Sequence, residues 1–591
     1  LASLFGALGC LPGGGGPPGD PTAVPVETVE LPFDLGVVGL SRSPRGDLIA
    51  GGARGLYRST DDGETFEELV PGLDWSSSAA TSRHAFVMGA HVLHRIDLAE
   101  PVDELLAPPF DPQPRTEVVP PRLAVTDDDV VVVALRSETF ASADEGDTWY
   151  RLGEGSSTFF GVTGSRLWLS TSEGFVTSDD GGRTFEPRDP RGLPADVRGV
   201  VPLGVASYLF YGGRELLRTD DDGESYAVWA GSPDPLTLDF PPFDRVVRLG
   251  SALVGSSSFE DQRLTPGTYV SEDEGRTWAR TSAAVLSGAV SFTPEGATPR
   301  VVASFGSRLA VTEDARAWRA ALGPHETAPR WMAAAAGRLW LADSWETFGV
   351  VHLDLDTGVW RVHPEGHDDY TDVALGGPIA AHEDGSVATL GHFSEDGGET
   401  WRRAGELPPG DWQENGLVAV PGTRTTLAGL VELDRSSRVV RGALLATRDG
   451  VAWEARVGPG PLAPHPTVAD LEGHTFASTR ETGFELSDGY PQRSDDDGHV
   501  WRTLPEGSSL PIACTPLGAL LAVAERDGGR PAFRYWPRGA ESASQLVLDD
   551  TARAPVYPAH AVGTDGRLYY VAVDPTTSRA LLRRTAEPLG F

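Results

Sequence analysis

Nine copies of one short pattern run along this chain. In the full form a serine or threonine is followed by an aspartate two residues on, a glycine four on, a threonine or serine six on, and then an aromatic. It stands at Ser59, Asp61, Gly63, Thr65 and Phe66. It returns from Ser142, Ser178, Thr219, Ser271, Ser394 and Ser494, the last with Val500 in the threonine position. Two copies are one residue shorter, Thr312-Asp314-Trp318 and Thr447-Asp449-Trp453. The repeated aspartates are thus Asp61, Asp144, Asp180, Asp221, Asp273, Asp314, Asp396, Asp449 and Asp496. Self-similarity at a roughly fixed period means a series of like supersecondary units. One small domain is excluded.

The pattern has a physical reading. A carboxylate two residues before a glycine can accept backbone N–H groups across a tight turn, the glycine takes positive φ without steric cost, and the aromatic plugs an apolar interface. Strand-like segments flank it, such as Gly55-Leu-Tyr-Arg-Ser59 before the first copy and Trp501-Arg-Thr-Leu504 after the last, so it reads as the staple of a hairpin. Most copies are 36 to 53 residues apart, the length of a four-stranded propeller blade. The two larger gaps are about double and hold degenerate candidates at Asp97 and at Asp356, Gly358 and Trp360. Further units without the pattern fit near Phe533 to Trp536 and Leu581 to Arg584, about thirteen in all.

The pattern resembles the Asp-box, or BNR, repeat of sialidase-like and related propellers. The resemblance implies an all-β fold of tandem β-propellers with four-stranded blades, about seven and then six or seven, because single rings typically hold 4 to 8 blades. The alternative is one ring of about ten, as in the sortilin family, whose cysteine-rich module this chain lacks. The expected domains are 26–323 and 324–591, divided near Gly323 to Arg330.

Acidic residues outnumber basic ones 85 to 49, for a formal charge of -36, a field that repels nucleic acid and anionic lipid. The sequence contains no lysine, which excludes a Walker A loop, a pyridoxal Schiff base and a lysine nucleophile. Cys10 and Cys514 are the only cysteines. Cys514, in the apolar run Leu510-Pro-Ile-Ala-Cys-Thr-Pro516, reads as a strand residue rather than a reactive thiol.

The first ten residues, LASLFGALGC, resemble the end of a bacterial lipoprotein signal with Cys10 as the lipidated cysteine; Ala7 and Leu8 depart from that pattern and Gly9 fits it. With Met88 and Met332 the only methionines, the expectation is a chain starting inside its signal or at a non-Met start. Residues 11–25, rich in Gly and Pro, read as a tether. No later run has the ~18 apolar residues of a spanning helix. The expected location is the cell envelope, lipid-anchored at the outer membrane or cell surface, with a secreted or periplasmic protein as the alternative.

No residue is singled out as catalytic, cofactor-binding or metal-binding. The Asp-Asp-Gly runs lack the twelve-residue register and closing glutamate of a calcium loop; Asp354 and Asp356 come nearest to an exception. His363-Pro-Glu-Gly-His-Asp-Asp-Tyr370, with His352, His382 and His392 nearby, matches no zinc spacing and reads as a solvated loop. A sialidase would need an Arg-Ile-Pro strand, which is absent. Tandem Asp-box propellers are also similar to xyloglucan-cleaving endoglucanases, whose catalytic aspartate precedes the first box; here Gly52 stands in its place. The implied function is therefore a non-catalytic, monomeric protein that binds a protein or polysaccharide through its longer loops. Candidate ligand-face aromatics are Phe240, Phe243, Trp412 and Tyr490. The alternatives are a glycoside hydrolase acting in a cleft between two propellers, a sialidase, or a membrane-complex assembly factor.

Overall fold

In the computed structural model the described residues lie between Val24 and Leu589, with several connecting segments left out, among them 107–121, 232–239, 364–377 and 480–489. Among them there is no helix, and so none long and apolar enough to cross a membrane. The chain forms two compact units, Pro32–Pro324 and, separately, residues up to Leu31 joined with those from His325 onward.

Among the described residues the first unit has seven groups of four antiparallel strands, over residues 37–71, 77–106, 122–152, 157–187, 199–231, 245–282 and 288–320, each hydrogen-bonded in chain order. The innermost strands of consecutive sheets pack side by side, and that of the seventh, Gly288–Phe292, returns to that of the first, Val37–Arg42. This is a closed β-propeller. Its middle strands face neighbouring blades on both sides, so their sequences are apolar almost throughout; Leu48–Gly52, His84–Met88 and Val131–Ala134 are entirely buried. Outer strands are more open: Asp103–Leu106 is exposed at three of four positions, and Glu67–Pro71 is exposed at its two ends and half-buried between.

The seam between the seventh and first blades is apolar, with Leu48, Tyr57 and Phe66 packed on Val302, Leu309, Val311 and Ala321. A polar latch reinforces it. Glu64 accepts from Arg319 through both oxygens, at 2.8 and 2.9 Å, and from Arg300 at 3.1 Å. Leu322 bridges Thr65, donating to the Glu64 carbonyl and accepting from Phe66 N–H.

The second unit has blades over 331–363, 380–403, 412–460, 464–503 and 511–546. A sixth is formed by His560–Val562, Leu568–Val573, Ala580–Thr585 and the strand Val24–Val29, with the short Leu548–Asp549 pairing in parallel on Val24 and Pro25. The innermost strand of this last blade packs on those of the first and fifth, so this unit too is a closed propeller. Val24–Val29 runs antiparallel to Ala580–Thr585, with Val26 opposite Thr585 and Val29 opposite Leu582, and Glu27 pairs with Arg584 at 2.9 Å. The sequence placed this strand in the first propeller. It belongs to the second because an outer blade edge is there to accept it, with Val26 against Phe533, Leu568 and Tyr570.

Because the four strands of every blade run antiparallel to their neighbours, the first and third strands end at one end of the blade. The second and fourth strands end at the other. The repeated pattern follows the third strand, so it marks the first end, the turn face; the opposite end is the loop face.

Candidate functional site

The repeat turns are the most regular polar feature of the molecule. In the first, Asp61 Oδ1 accepts from Ser59 Oγ (2.8 Å) and Thr65 N (2.9 Å), and Oδ2 accepts from Thr65 Oγ1 (2.6 Å). Ser59 Oγ in turn accepts from Gly63 N at 2.9 Å. The arrangement recurs at Asp144, Asp180, Asp221, Asp273 and Asp396. In the shorter copies Asp314 accepts from Arg316 N and Ala317 N, and Asp449 from Val451 N and Ala452 N. Asp496 and Cys10 lie outside the described residues.

These bonds stabilise the carboxylate form. At Asp61 partial burial pushes the pKa up, but the bonds from Thr65 and Ser59 outweigh it and hold the group below its ordinary value. At Asp180 the Thr184 backbone N–H leads, and at Asp221 the Ser225 hydroxyl; both are held at about 2. A carboxylate with both oxygens engaged and so low a pKa is a poor general acid and a weak base.

The residue after each aspartate was missed by sequence reasoning. It is left-handed in every described copy, with φ of 58–74° at Asp62, Glu145, Gly181, Asp222, Glu274, Ala315, Gly397 and Gly450. In five copies its carbonyl accepts a hydrogen bond from the preceding blade. Arg95 bonds the Glu145 carbonyl (2.7 Å), Tyr150 that of Gly181 (2.6 Å), Trp229 that of Glu274 (2.9 Å), Arg338 that of Gly397 (2.6 Å) and Gly405 N that of Gly450 (3.1 Å). Acidic side chains at this position add ion pairs, Arg218 with Glu274 at 2.6 Å and Arg166 with Asp222. The repeat turn is thus a clasp between blades as well as a hairpin staple. The following glycine is required twice over: at Gly63 φ is +88°, and a Cβ would come 2.6 Å from Val302.

Residues 364–370 of the expected solvated loop lie outside the described residues. The histidines around it depart from that expectation: His352, His363, His382 and His392 are all buried. His352 Nδ1 lies 2.6 Å from His363 Nε2, the rings stack at 4.8 Å, and Trp340 covers both. Desolvation lowers both pKa values, His352 to about 2, helped by His363 and Arg338, and His363 to about 4 against a backbone bond to Gly398. His382 Nε2 pairs with Thr426 Oγ1 at 2.8 Å. Among the described residues no group of three or more His, Cys, Asp or Glu could hold a metal ion. Asp354 instead accepts from Asp356 N, Thr357 N and the Thr357 hydroxyl, capping its own turn.

Phe240 and Phe243 also depart from expectation. They are 8% and 0% exposed, and Phe243 packs on Tyr269 and Trp278, so they are core and not ligand face. Trp412 opens the innermost strand Trp412–Ala419 and Tyr490 the third strand Tyr490–Ser494, which sets both backbone positions at the loop-face end. Gly52 ends the second strand of the first blade, also at that end.

No family model matches the chain, nor does any curated protein. Among solved structures it is similar to a GH74 xyloglucanase from Xanthomonas campestris, at 16% identity over 95% of this chain and 99% of that one, TM-score 0.40. A GH74 enzyme from Niastella koreensis is similar at 14% identity over 96% and 100%, TM-score 0.36. BamB from Moraxella catarrhalis is similar at 12% over 46% and 84%, TM-score 0.31. Likenesses of this size carry no argument about activity. The blade topology itself makes the molecule an all-β protein of the propeller class.

Proposed function

We propose that this is an exported, non-catalytic β-propeller protein, held at the cell envelope by a lipid on Cys10, that binds a protein or polysaccharide partner through loop-face residues. The observation that carries the reading is the engagement of the repeat carboxylates. Each full described copy uses both oxygens within its own turn, and the turns are clasped by neighbouring blades. The turn face is therefore committed to holding the blades together, which leaves recognition to the other end, where propellers generally present their variable loops. Gly52 offers no carboxylate where the resemblance to endoglucanases would require one. Fold alone does not assign activity, since propellers host many.

Two measurements test the reading. Affinity electrophoresis through gels containing neutral or acidic polysaccharides, with pull-down from native envelopes, should give retardation or one stoichiometric complex. A reducing-sugar assay on the same polysaccharides should stay at background. Turnover above background would replace this reading with that of a glycoside hydrolase. For the anchor, Cys10→Ser should move the protein from the membrane to the soluble fraction; retention would defeat lipidation.

A further inference from the structure

We infer that Phe259, together with Ser258 and the Arg198–Asp244 ion pair, forms a preformed subsite for a neutral sugar ring on the loop face of the first unit. This rests on the polysaccharide arm of the proposed function and names where and how such a ligand is held.

Three loop-face positions meet here. Arg198 directly precedes the innermost strand Gly199–Pro202 of the fifth blade, and Asp244 precedes Arg245–Leu249, the innermost strand of the sixth. Ser258 and Phe259 directly follow Ala252–Ser257, the sixth blade's second strand. The groups are bound into one frame. Asp244 Oδ1 accepts from Arg198, and Oδ2 accepts from Ser258 N (2.7 Å) and Ser258 Oγ (2.5 Å). Asp244 N donates to the Ser256 carbonyl at 2.8 Å. Phe259 N donates to Ser257 Oγ (3.3 Å), which donates to the Pro242 carbonyl (2.9 Å).

On this frame stands a phenyl ring that the fold does not bury. Phe259 is 41% exposed, the one aromatic among the exposed large apolar side chains of the described residues. Phe240 and Phe243, in the segment that leads into the same blade, show that this blade has an aromatic core available, and Phe259 is not among its members. An exposed aromatic side chain next in sequence to a held hydrogen-bonding group is what a sugar requires: its C–H face packs on the ring and its hydroxyls meet the guanidinium N–H groups and the serine hydroxyl. The Arg198 side chain is 52% exposed, so donors beyond the one given to Asp244 face solvent. The pair is neutral in sum, and a chain of charge -36 repels polyanions. The ligand is therefore neutral.

The test is affinity electrophoresis of wild type, Phe259→Ala and Phe259→Trp in gels containing xyloglucan, mixed-linkage β-glucan, galactomannan or arabinoxylan, with polygalacturonate as the acidic probe. At least one neutral glycan should retard the wild type, with about tenfold weaker binding by Phe259→Ala and binding retained by Phe259→Trp. Equal retardation of wild type and Phe259→Ala would remove the subsite while leaving the polysaccharide reading intact. Selective retardation by polygalacturonate would overturn the neutral-ligand assignment. Retardation of the wild type by no glycan would defeat both the subsite and the polysaccharide reading. Exposed Phe259 lies outside the core, so unchanged thermal unfolding in both variants separates lost binding from lost fold.

Discussion

The two propellers solve the same closure problem differently. The first seals its seventh blade to its first mainly with side chains, the apolar seam around Val302 and Leu48 and the Glu64 latch, with a single backbone bridge at Leu322. The second seals its last blade with backbone, taking Val24–Val29 as its outer strand. A side-chain seal is divided among many modest contacts, so no single one decides it. A strand seal concentrates closure in one ladder, which one substitution can disrupt.

The largest effect should therefore come from the strand. Val26→Asp sets a charge against Phe533 and Tyr570 and should destabilise the second unit by about 2–3 kcal/mol. Hydrogen exchange should then accelerate in Ala580–Thr585 but not in residues 32–324; uniform acceleration would contradict separate closure.

Acid should distinguish the units next. The unfolded His352 and His363 protonate near 6.5, whereas the folded pair resists until about 4 or lower. The unfolded state thus binds more protons in this window. The stability the pair confers is complete above about 6.5 and is lost as pH falls toward 4. The repeat aspartates act lower: their folded pKa values lie below 3.8, so their contribution is intact above about 4 and drains toward 2. Fluorescence of Trp340 and Trp401, which pack on His363, should change between pH 6.5 and 4, before the first unit loses its strand signal. Simultaneous loss would assign acid sensitivity to another group.

Glu64→Ala should cost the first unit about 1–2 kcal/mol, because a carboxylate shared by two arginines is stronger than an isolated surface pair. The difference in denaturation midpoint should shrink in 1 M salt; a salt-independent cost would make the role of Glu64 one of packing. The smallest expected effect is a gain. Ala336 is exposed and left-handed, φ 50°, just before Gly337 in a hairpin. Ala336→Asn should stabilise the second unit by about 0.5–1 kcal/mol, read as a rise in its melting temperature.

How much of this the sequence discloses depends on distance along the chain. The repeat turn is legible because Ser59, Asp61, Gly63 and Thr65 carry its bonds within seven consecutive residues. The clasps are not, because Tyr150 and Gly181 are 31 positions apart and Arg338 and Gly397 are 59 apart. An acidic residue after the aspartate, as at Glu145 and Glu274, is the one local hint. Phe243 misleads because its proline-rich setting reads as a loop while its ring lies beneath Tyr269 and Trp278. The histidines mislead in the same way, since burial under Trp340 leaves no mark on their spacing. For the Phe259 subsite the chain shows only an ordinary Ser-Ser-Ser-Phe; the frame around it comes from Asp244 and Arg198, each just before the innermost strand of adjacent blades.

The borrowed strand also sets a schedule for biosynthesis. Glu27 and Arg584 are 557 positions apart, so at ~5–20 residues per second the first half of this ladder waits for its partner for roughly half a minute to two minutes. Loop-closure entropy grows only logarithmically with length, so the delay burdens rate far more than final stability. Seven blades can assemble in the interval while Val24–Val29 stands as an unpaired edge, the kind of segment that recruits wrong neighbours. Its sequence, VPVETV, carries Pro25 and Glu27 among the valines, a backbone interruption and a charge that keep it from adhering elsewhere until Ala580–Thr585 arrives.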